Sequence, residues 1–129
     1  MRCGATARPA ASWRQGSGNA ILMTLEYGHV TEVCAGFGAK TVRAEAVAQE
    51  AIAQAQAYMA SNAAAGEHLA DQLMLPLALA GGGSFTASMV SSHAETNAEV
   101  IARFLPVSIY FEYGKGQNTC VVKSTCQPC

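Results

Sequence analysis

Asp71, His93 and the pair Cys126 and Cys129 are the side chains in this sequence whose type and setting could do chemistry. Asp71 and Gln72 interrupt an apolar run, with Leu69-Ala70 before them and Leu73-Met74-Leu75 after. A carboxylate in such a run is costly to bury unless paired or hydrogen-bonded, so Asp71 either bonds neighbouring backbone or reaches a cleft. His93 follows Ser91-Ser92 and precedes Ala94-Glu95-Thr96-Asn97. Ser92-x-x-Glu95 and Thr96-x-x-Glu99 both fit a capping box, and either register sets His93 at or just before a helix N-terminus. There the positive end of the helix dipole favours the uncharged, nucleophilic ring. A lone histidine is more often a surface residue than a catalyst, so its position alone leaves both readings open. Cys126-Gln-Pro-Cys129 has the C-x-x-C spacing of redox and zinc sites. With no helix N-terminus to activate a thiol and only Cys120 nearby as a further ligand, a tail without chemistry is the better reading. Gly81-Gly82-Gly83 follows a helical pattern instead of preceding one, which makes it a helix stop and not a phosphate-binding loop.

Charge narrows the class. Eight Lys and Arg against nine Asp and Glu leave a net charge of −1, no excess with which to grip a phosphate backbone. Arg2, Arg8 and Arg14 form the one local basic cluster, so the chain on its own is expected to bind nucleic acid poorly. Half of the 129 residues are hydrophobic, enough for a packed core and against global disorder. That length suits one average domain or two small pieces of larger ones. The longest apolar runs, residues 21–25 and 73–80, fall short of the roughly 20 residues that span a bilayer. No secretory-type apolar run follows the early arginines. The expectation is a soluble, cytoplasmic protein.

The elements that must position these residues can be read from periodicity. Residues 1–19 mix Gly, Pro, Ser and Arg and read as irregular, with a turn at 15–19. Residues 21–27 and 31–37 read as two strands joined at Gly28-His29, and Gly36-Phe37-Gly38 ends the second. Thr41 is the expected N-cap of a long helix to about Ser61, with Glu45 in its first turn. Val47, Ala51, Ala55 and Tyr58 form its inward stripe. Residues 61–66 break the pattern. A second helix is expected from Glu67 to Ala80, with Leu69, Leu73, Leu77 and Ala80 on one face and Met74, Leu75 and Leu79 widening it. Apolar nearly all round, it should be buried and bent at Pro76. Residues 84–90 alternate as a strand with Phe85, Ala87 and Met89 on one face. A third helix should run to about Leu105, stopped by Pro106, and a hairpin should follow over 107–113 and 118–123 around Gly114-Lys115-Gly116. The order after residue 62 indicates a compact α+β or α/β repeat with helices on one face of a small sheet.

Read together, several blocks are similar to one family. Leu69-Ala-Asp-Gln-Leu73, Leu75-Pro-Leu-Ala-Leu-Ala-Gly81, Ser91-Ser-His93, Thr96-Asn97 and Arg103-Phe-Leu-Pro106 occur in that order. They resemble the C-terminal signature of RNA 3'-terminal phosphate cyclases. His29-Val-Thr-Glu-Val33, Gly36-Phe-Gly38 and Ala44-Glu-x-Val-Ala48 extend the resemblance upstream, over about Gly16 to Val107. The resemblance implies an ATP-dependent enzyme in which a histidine attacks the α-phosphorus to give histidyl-AMP. AMP then passes to an RNA 3'-phosphate, and the ribose 2'-OH displaces it to leave a 2',3'-cyclic phosphate. It implies His93 as nucleophile, Asp71 as the group that orients its ring, and Gln72 as a nucleotide contact. His68 stands where the family often has a tyrosine thought to stack on adenine. Metal ligands (for Mg or Mn) and phosphate-binding arginines belong to an N-terminal portion whose motifs are not in this sequence.

The same resemblance implies an α/β sandwich related to the enolpyruvyl transferases of the shikimate pathway. Residues 20–62 would be the end of a small inserted domain, and residues 63–129 the last βαβ-type repeat of the catalytic domain. The chain alone is then expected to have little activity. A non-catalytic relative acting in ribosome or RNA assembly is the alternative, against which the presence of His93 argues.

Overall fold

The structure, a computed structural model, describes residues 2–9 and 19–126. Side chains of residues 2–9 lie outside the description, as do residues 10–18 with most of the expected turn, and 127–129 with Cys129 of the C-x-x-C. The fold is α+β, in two compact units, residues 1–60 and 61–129.

In the first unit, β1 (Arg2–Pro9), β2 (Asn19–Glu26) and β3 (Thr31–Phe37) form an antiparallel sheet in the order β1-β2-β3, followed by α1 (Ala44–Ala60). The Tyr27 amide donates to the Val30 carbonyl at 2.9 Å across Gly28-His29, closing the expected hairpin with Glu26 opposite Thr31. The inward stripe of α1 is Val47, Ala51, Ala55 and Tyr58, as its periodicity requires. This stripe meets Leu25 and Cys34 of the sheet. A side chain at Gly36 would collide with the Val47 carbonyl, so glycine lets the helix lie close on β3. Gln54 Nε2 donates to the Ala35 carbonyl at 3.2 Å and ties the same two elements. Tyr58 meets Tyr27 edge to face at 5.9 Å between centroids. Burial, then the nearby buried Glu32, raises the Tyr58 phenol above its ordinary pKa.

Two expectations for this unit are corrected. Residues 2–9 are not irregular: they form β1, paired residue for residue with β2 from Arg2–Glu26 to Pro9–Asn19. Backbone pairing on the open edge of β2 satisfies main-chain groups without any side-chain periodicity. Thr41 is not the N-cap of α1. It sits in a turn with φ +81, closed by the Val42 amide on the Ala39 carbonyl, and the first helical bonds run from Ala46 and Val47 to the Arg43 carbonyl.

The second unit runs α2 (Glu67–Leu79), β4 (Gly82–Ala87), α3 (Ser92–Phe104), β5 (Val107–Tyr113), β6 (Asn118–Ser124). Its sheet order is β4-β6-β5, with β6 antiparallel to both neighbours. Ahead of α2, Ala65 adds a parallel bridge to Ala87, its amide donating to the Thr86 carbonyl at 3.0 Å. β4 and β5 are therefore parallel, as are the Ala65 bridge and β4. A crossover helix runs back against the parallel strands it joins. That makes α2 and α3 parallel to each other, with their N-termini at the same end.

The main core joins Met74, Ala78, Ala94, Ala98, Ile101 and Val107 to Cys120 and Val122 of the central strand. Gly81 and Gly82 have φ of +94 and +120, and a Cβ on Gly82 would approach the Val122 carbonyl to 2.8 Å. Only glycine turns the chain from α2 into β4 there. The expected inward face of α2 is corrected except at Met74. Its buried line is Ala70, Met74 and Ala78, while Leu69, Leu73 and Leu77 are half-buried and Leu75 and Leu79 are exposed. Small alanines on either side of Met74 let the helix sit close to the sheet, and the bulkier leucines flank that line. Strand β4 also ends at Ala87, short of the expected Val90, leaving Met89 exposed beyond it.

Burial in the central strand pushes the Cys120 thiol up to about 11. At pH 8 only about one molecule in a thousand then carries a Cys120 thiolate. Peptide mapping after brief iodoacetamide treatment at pH 8 should find exposed Cys126 alkylated and Cys120 unmodified. Comparable labelling of both would contradict the packed sheet.

Candidate functional site

The side chains singled out in the sequence fall on the two helices of the second unit. Serine 91, not Ser92 or Thr96, caps α3: its Oγ accepts from the Ala94 amide at 3.2 Å. Thr96 Oγ1 donates back to the Ser92 carbonyl at 2.9 Å instead of capping. His93 lies exposed in the first turn of α3, at the helix start where its spacing set it. His68 is exposed in the first turn of α2, Asp71 lies one turn further at intermediate burial, and Gln72 is exposed beside it.

Asp71 has the partner that its place in an apolar run demands. Asn97 Nδ2 donates to Asp71 Oδ1 at 2.9 Å and leans on the Asp71 backbone carbonyl at 3.3 Å. Among the described residues no hydrogen bond joins Asp71 to His93. An ionised carboxylate offers about four lone-pair positions, so the Asn97 bond leaves capacity for another donor. Asn97 was not singled out as a site residue by sequence; its occurrence in the Thr96-Asn97 block was the available signal.

This bond shows how the two helices face each other. It turns the Asn97 stripe of α3 toward α2 and the Asp71 stripe of α2 toward α3. On α3 that stripe is His93, Asn97, Val100 and Phe104, spaced i, i+4, i+7 and i+11. On α2 it is His68, Asp71, Leu75 and Leu79, spaced i, i+3, i+7 and i+11, with Gln72 beside it. Because the helices are parallel, both stripes start with a histidine at the N-terminal end. The polar and ionisable side chains of both stripes thus lie toward the two helix N-termini, whose positive dipole ends favour anions such as phosphate.

A concavity of about 480 Å³ lies between α3 and β5, lined in part by Glu95, Glu99, Val107 and Phe111. It is on the opposite flank of α3 from His93, and its two carboxylates repel phosphates, so it is no nucleotide site. Glu95 there accepts from the Tyr113 hydroxyl at 2.8 Å and raises that phenol above its ordinary pKa. Among the described residues, no three His, Cys, Asp or Glu side chains converge to hold a metal ion. These residues do not fit a divalent metal by themselves. No helix of the described residues is long and apolar enough to cross a membrane.

Comparison with known proteins gives a consistent match. A family model described as RNA 3'-terminal phosphate cyclase matches residues 11–111. An RNA 3'-terminal phosphate cyclase of Pseudomonas fluorescens is 52% identical over 94 residues, which is 73% of this chain and 28% of that protein. One of Salmonella paratyphi C is 50% identical over 107 residues, 83% of this chain and 31% of that protein. Another, of Koribacter versatilis, is 52% identical over 103 residues, 80% of this chain and 28% of that protein. The chain spans about three-tenths of the length of these relatives.

Removing the Asn97 amide leaves the half-buried Asp71 carboxylate without its donor. Asn97→Ala should cost about 1–2 kcal/mol of stability, read from urea unfolding by circular dichroism. His93→Ala, at an exposed position, should stay within about 0.5 kcal/mol of the original chain. Equal effects from the two substitutions would deny the Asp71–Asn97 bond its place in holding the helices.

Proposed function

The chain belongs to the RNA 3'-terminal phosphate cyclase family, and on that premise we propose that it is the portion of a cyclase that carries the nucleophile. The observation that carries this reading is His93 in the first turn of α3, on the stripe that Asn97 turns toward Asp71. In the proposed reaction a ring nitrogen of His93 attacks the α-phosphorus of ATP. A P–N bond forms and pyrophosphate leaves. An oxygen of an RNA 3'-phosphate then attacks the same phosphorus, the P–N bond breaks, and the AMP group sits on the RNA end. The neighbouring 2'-OH attacks the 3'-phosphorus, loses its proton, and expels AMP to leave the cyclic phosphodiester.

Asp71 is proposed to accept the other ring N–H of His93, so that one tautomer faces the phosphorus. The carboxylate is already held at one oxygen by Asn97 and lies within the helix pair that carries the histidine. His93 precedes Asn97 by one helical turn on the same stripe of α3. His68 and Gln72 would contact the nucleotide, the imidazole stacking on the base and the amide bonding a polar edge. Two helix N-termini at this end suit the negative charge of the triphosphate.

What this chain lacks is equally specific. Phosphoryl transfer is catalysed largely by positioning and by positive charge around the phosphates. With a net charge of −1 and no set of metal ligands among the described residues, it does not supply that charge. The divalent metal and phosphate-binding arginines would come from the remainder of the cyclase, as would most of the grip on RNA.

Intact mass after incubation with ATP and a divalent metal tests the reading. The isolated chain should gain little or no AMP. With the remainder of a cyclase supplied in trans it should gain one AMP, which His93→Ala abolishes and Asp71→Asn slows roughly 10- to 100-fold. An unchanged adduct on His93→Ala, or no adduct with the remainder present, would sink the assignment.

A further inference from the structure

The first unit takes no part in the proposed chemistry, yet residues 37–46 form an exposed run within it, broken only at half-buried Gly38. Phe37 closes β3 at 71% exposure, the highest among the large apolar residues described in that unit. Beyond it the Val42 amide bonds the Ala39 carbonyl at 3.0 Å, closing a turn with Lys40 and Thr41 at its tip. Such a turn brings its ends within about 7 Å, so the chain reaches Arg43 close to where it left β3. Among the described residues, Lys40 and Arg43 pair with no carboxylate. Glu45 is the one acid of the run and lies in the first turn of α1, where the helix dipole already engages it. Strand register sets Arg8 in line with Ala20 and Phe37, at the same end of the sheet. A lone exposed ring or a lone surface cation is ordinary. A ring beside unpaired cations is the combination by which proteins hold single-stranded nucleic acid, with a base on the ring and phosphates on the cations.

We propose that residues 37–43 are a contact for single-stranded RNA, with one base stacked on Phe37 and adjoining phosphates on Lys40 and Arg43. The inference rests on the cyclase reading in one respect, the choice of RNA among polyanions. Charge selects the occupant: a purely apolar partner seated on Phe37 would bury two cations without giving them a partner. The contact is separate from the chemistry, since Asp71 and His93 belong to the second unit. It engages the strand and not its terminal phosphate. Every base has a π-face, so the contact carries little sequence preference. Two phosphate contacts in a chain of net charge −1 make a weak site, with a Kd on the order of 10–100 μM at low salt. It adds to a grip on RNA that belongs mostly to the remainder of a cyclase.

Fluorescence anisotropy of a labelled oligouridylate tests this, its 3'-hydroxyl end keeping any cyclase chemistry out of the measurement. Titration with the chain at about 25 mM salt should show saturable binding that weakens as salt rises. Lys40→Gln combined with Arg43→Gln should weaken binding at least fivefold and lower the salt slope by roughly 1.4, the value for two phosphates of a single strand. Phe37→Ala should weaken it at least fivefold and leave the slope unchanged, because stacking releases no counterions. Lys115→Gln combined with Lys123→Gln removes the same charge from exposed positions of the second unit and should change affinity less than about twofold. All five positions are exposed, so every variant should keep the circular dichroism and melting temperature of the original chain. No binding up to about 1 mM protein would overturn the proposal, as would an equal loss from the second-unit pair. Full affinity in Phe37→Ala would also overturn it, leaving diffuse charge attraction in place of a strand contact. RNA binding by a chain that takes no AMP even with the remainder of a cyclase present upholds the contact and defeats the catalytic reading. An AMP adduct on a chain that binds no RNA does the reverse.

Discussion

A carboxylate set in an apolar helix has to be paired, and the pairing of Asp71 organises the second unit. Its donor is the Asn97 amide on the neighbouring helix, which also reaches the Asp71 main-chain carbonyl. A bond of this kind is directional where hydrophobic packing is not. Methyl groups at the α2–α3 contact could slide by a fraction of a turn at little cost, whereas a 2.9 Å hydrogen bond resists both translation and rotation. Two parallel helices are thereby held level, and every side chain sharing a stripe with Asp71 or Asn97 takes its direction from that contact.

The consequence is a face with two ends of different chemistry. At the N-terminal end stand His68 and His93, with Asp71, Gln72 and Asn97 behind them; at the C-terminal end stand four large apolar groups. Helix dipoles make the first end attractive to anions, and the hydrophobic effect makes the second attractive to another apolar surface. Under the proposed reading, such a unit would hold the nucleophile without surrounding a triphosphate, and the positive charge that phosphoryl transfer needs would come from elsewhere.

Strongly periodic elements were legible in the sequence. The α1 stripe of Val47, Ala51, Ala55 and Tyr58, strand β3, the Gly28-His29 turn and the hairpin of β5 and β6 all have local determinants: a 3.6 or 2.0 repeat, a glycine, a proline stop. Strand β1 was not legible because an edge strand can be recruited by backbone pairing alone. Thr41 misled because a hydroxyl before a helical pattern resembles a cap until the backbone dihedral is known. In α2 nearly every position is apolar, so periodicity could not tell the Ala70–Met74–Ala78 line from the leucine line beside it. The choice belongs to the sheet underneath, which accepts small side chains at close approach.

By itself the sequence determined the α+β class, the resemblance to the cyclases and the two residue types on which the proposed chemistry turns. Each of these is written in local order, as a repeat period or a block of adjacent residues. Only the tertiary structure decided that the Asp71 carboxylate is held by Asn97, that Ser91 caps the helix bearing His93, and that the two histidines stand at one end of parallel helices. Those facts concern residues separated in the chain. Their meeting depends on the direction in which each crossover helix returns across the sheet, which no local pattern encodes.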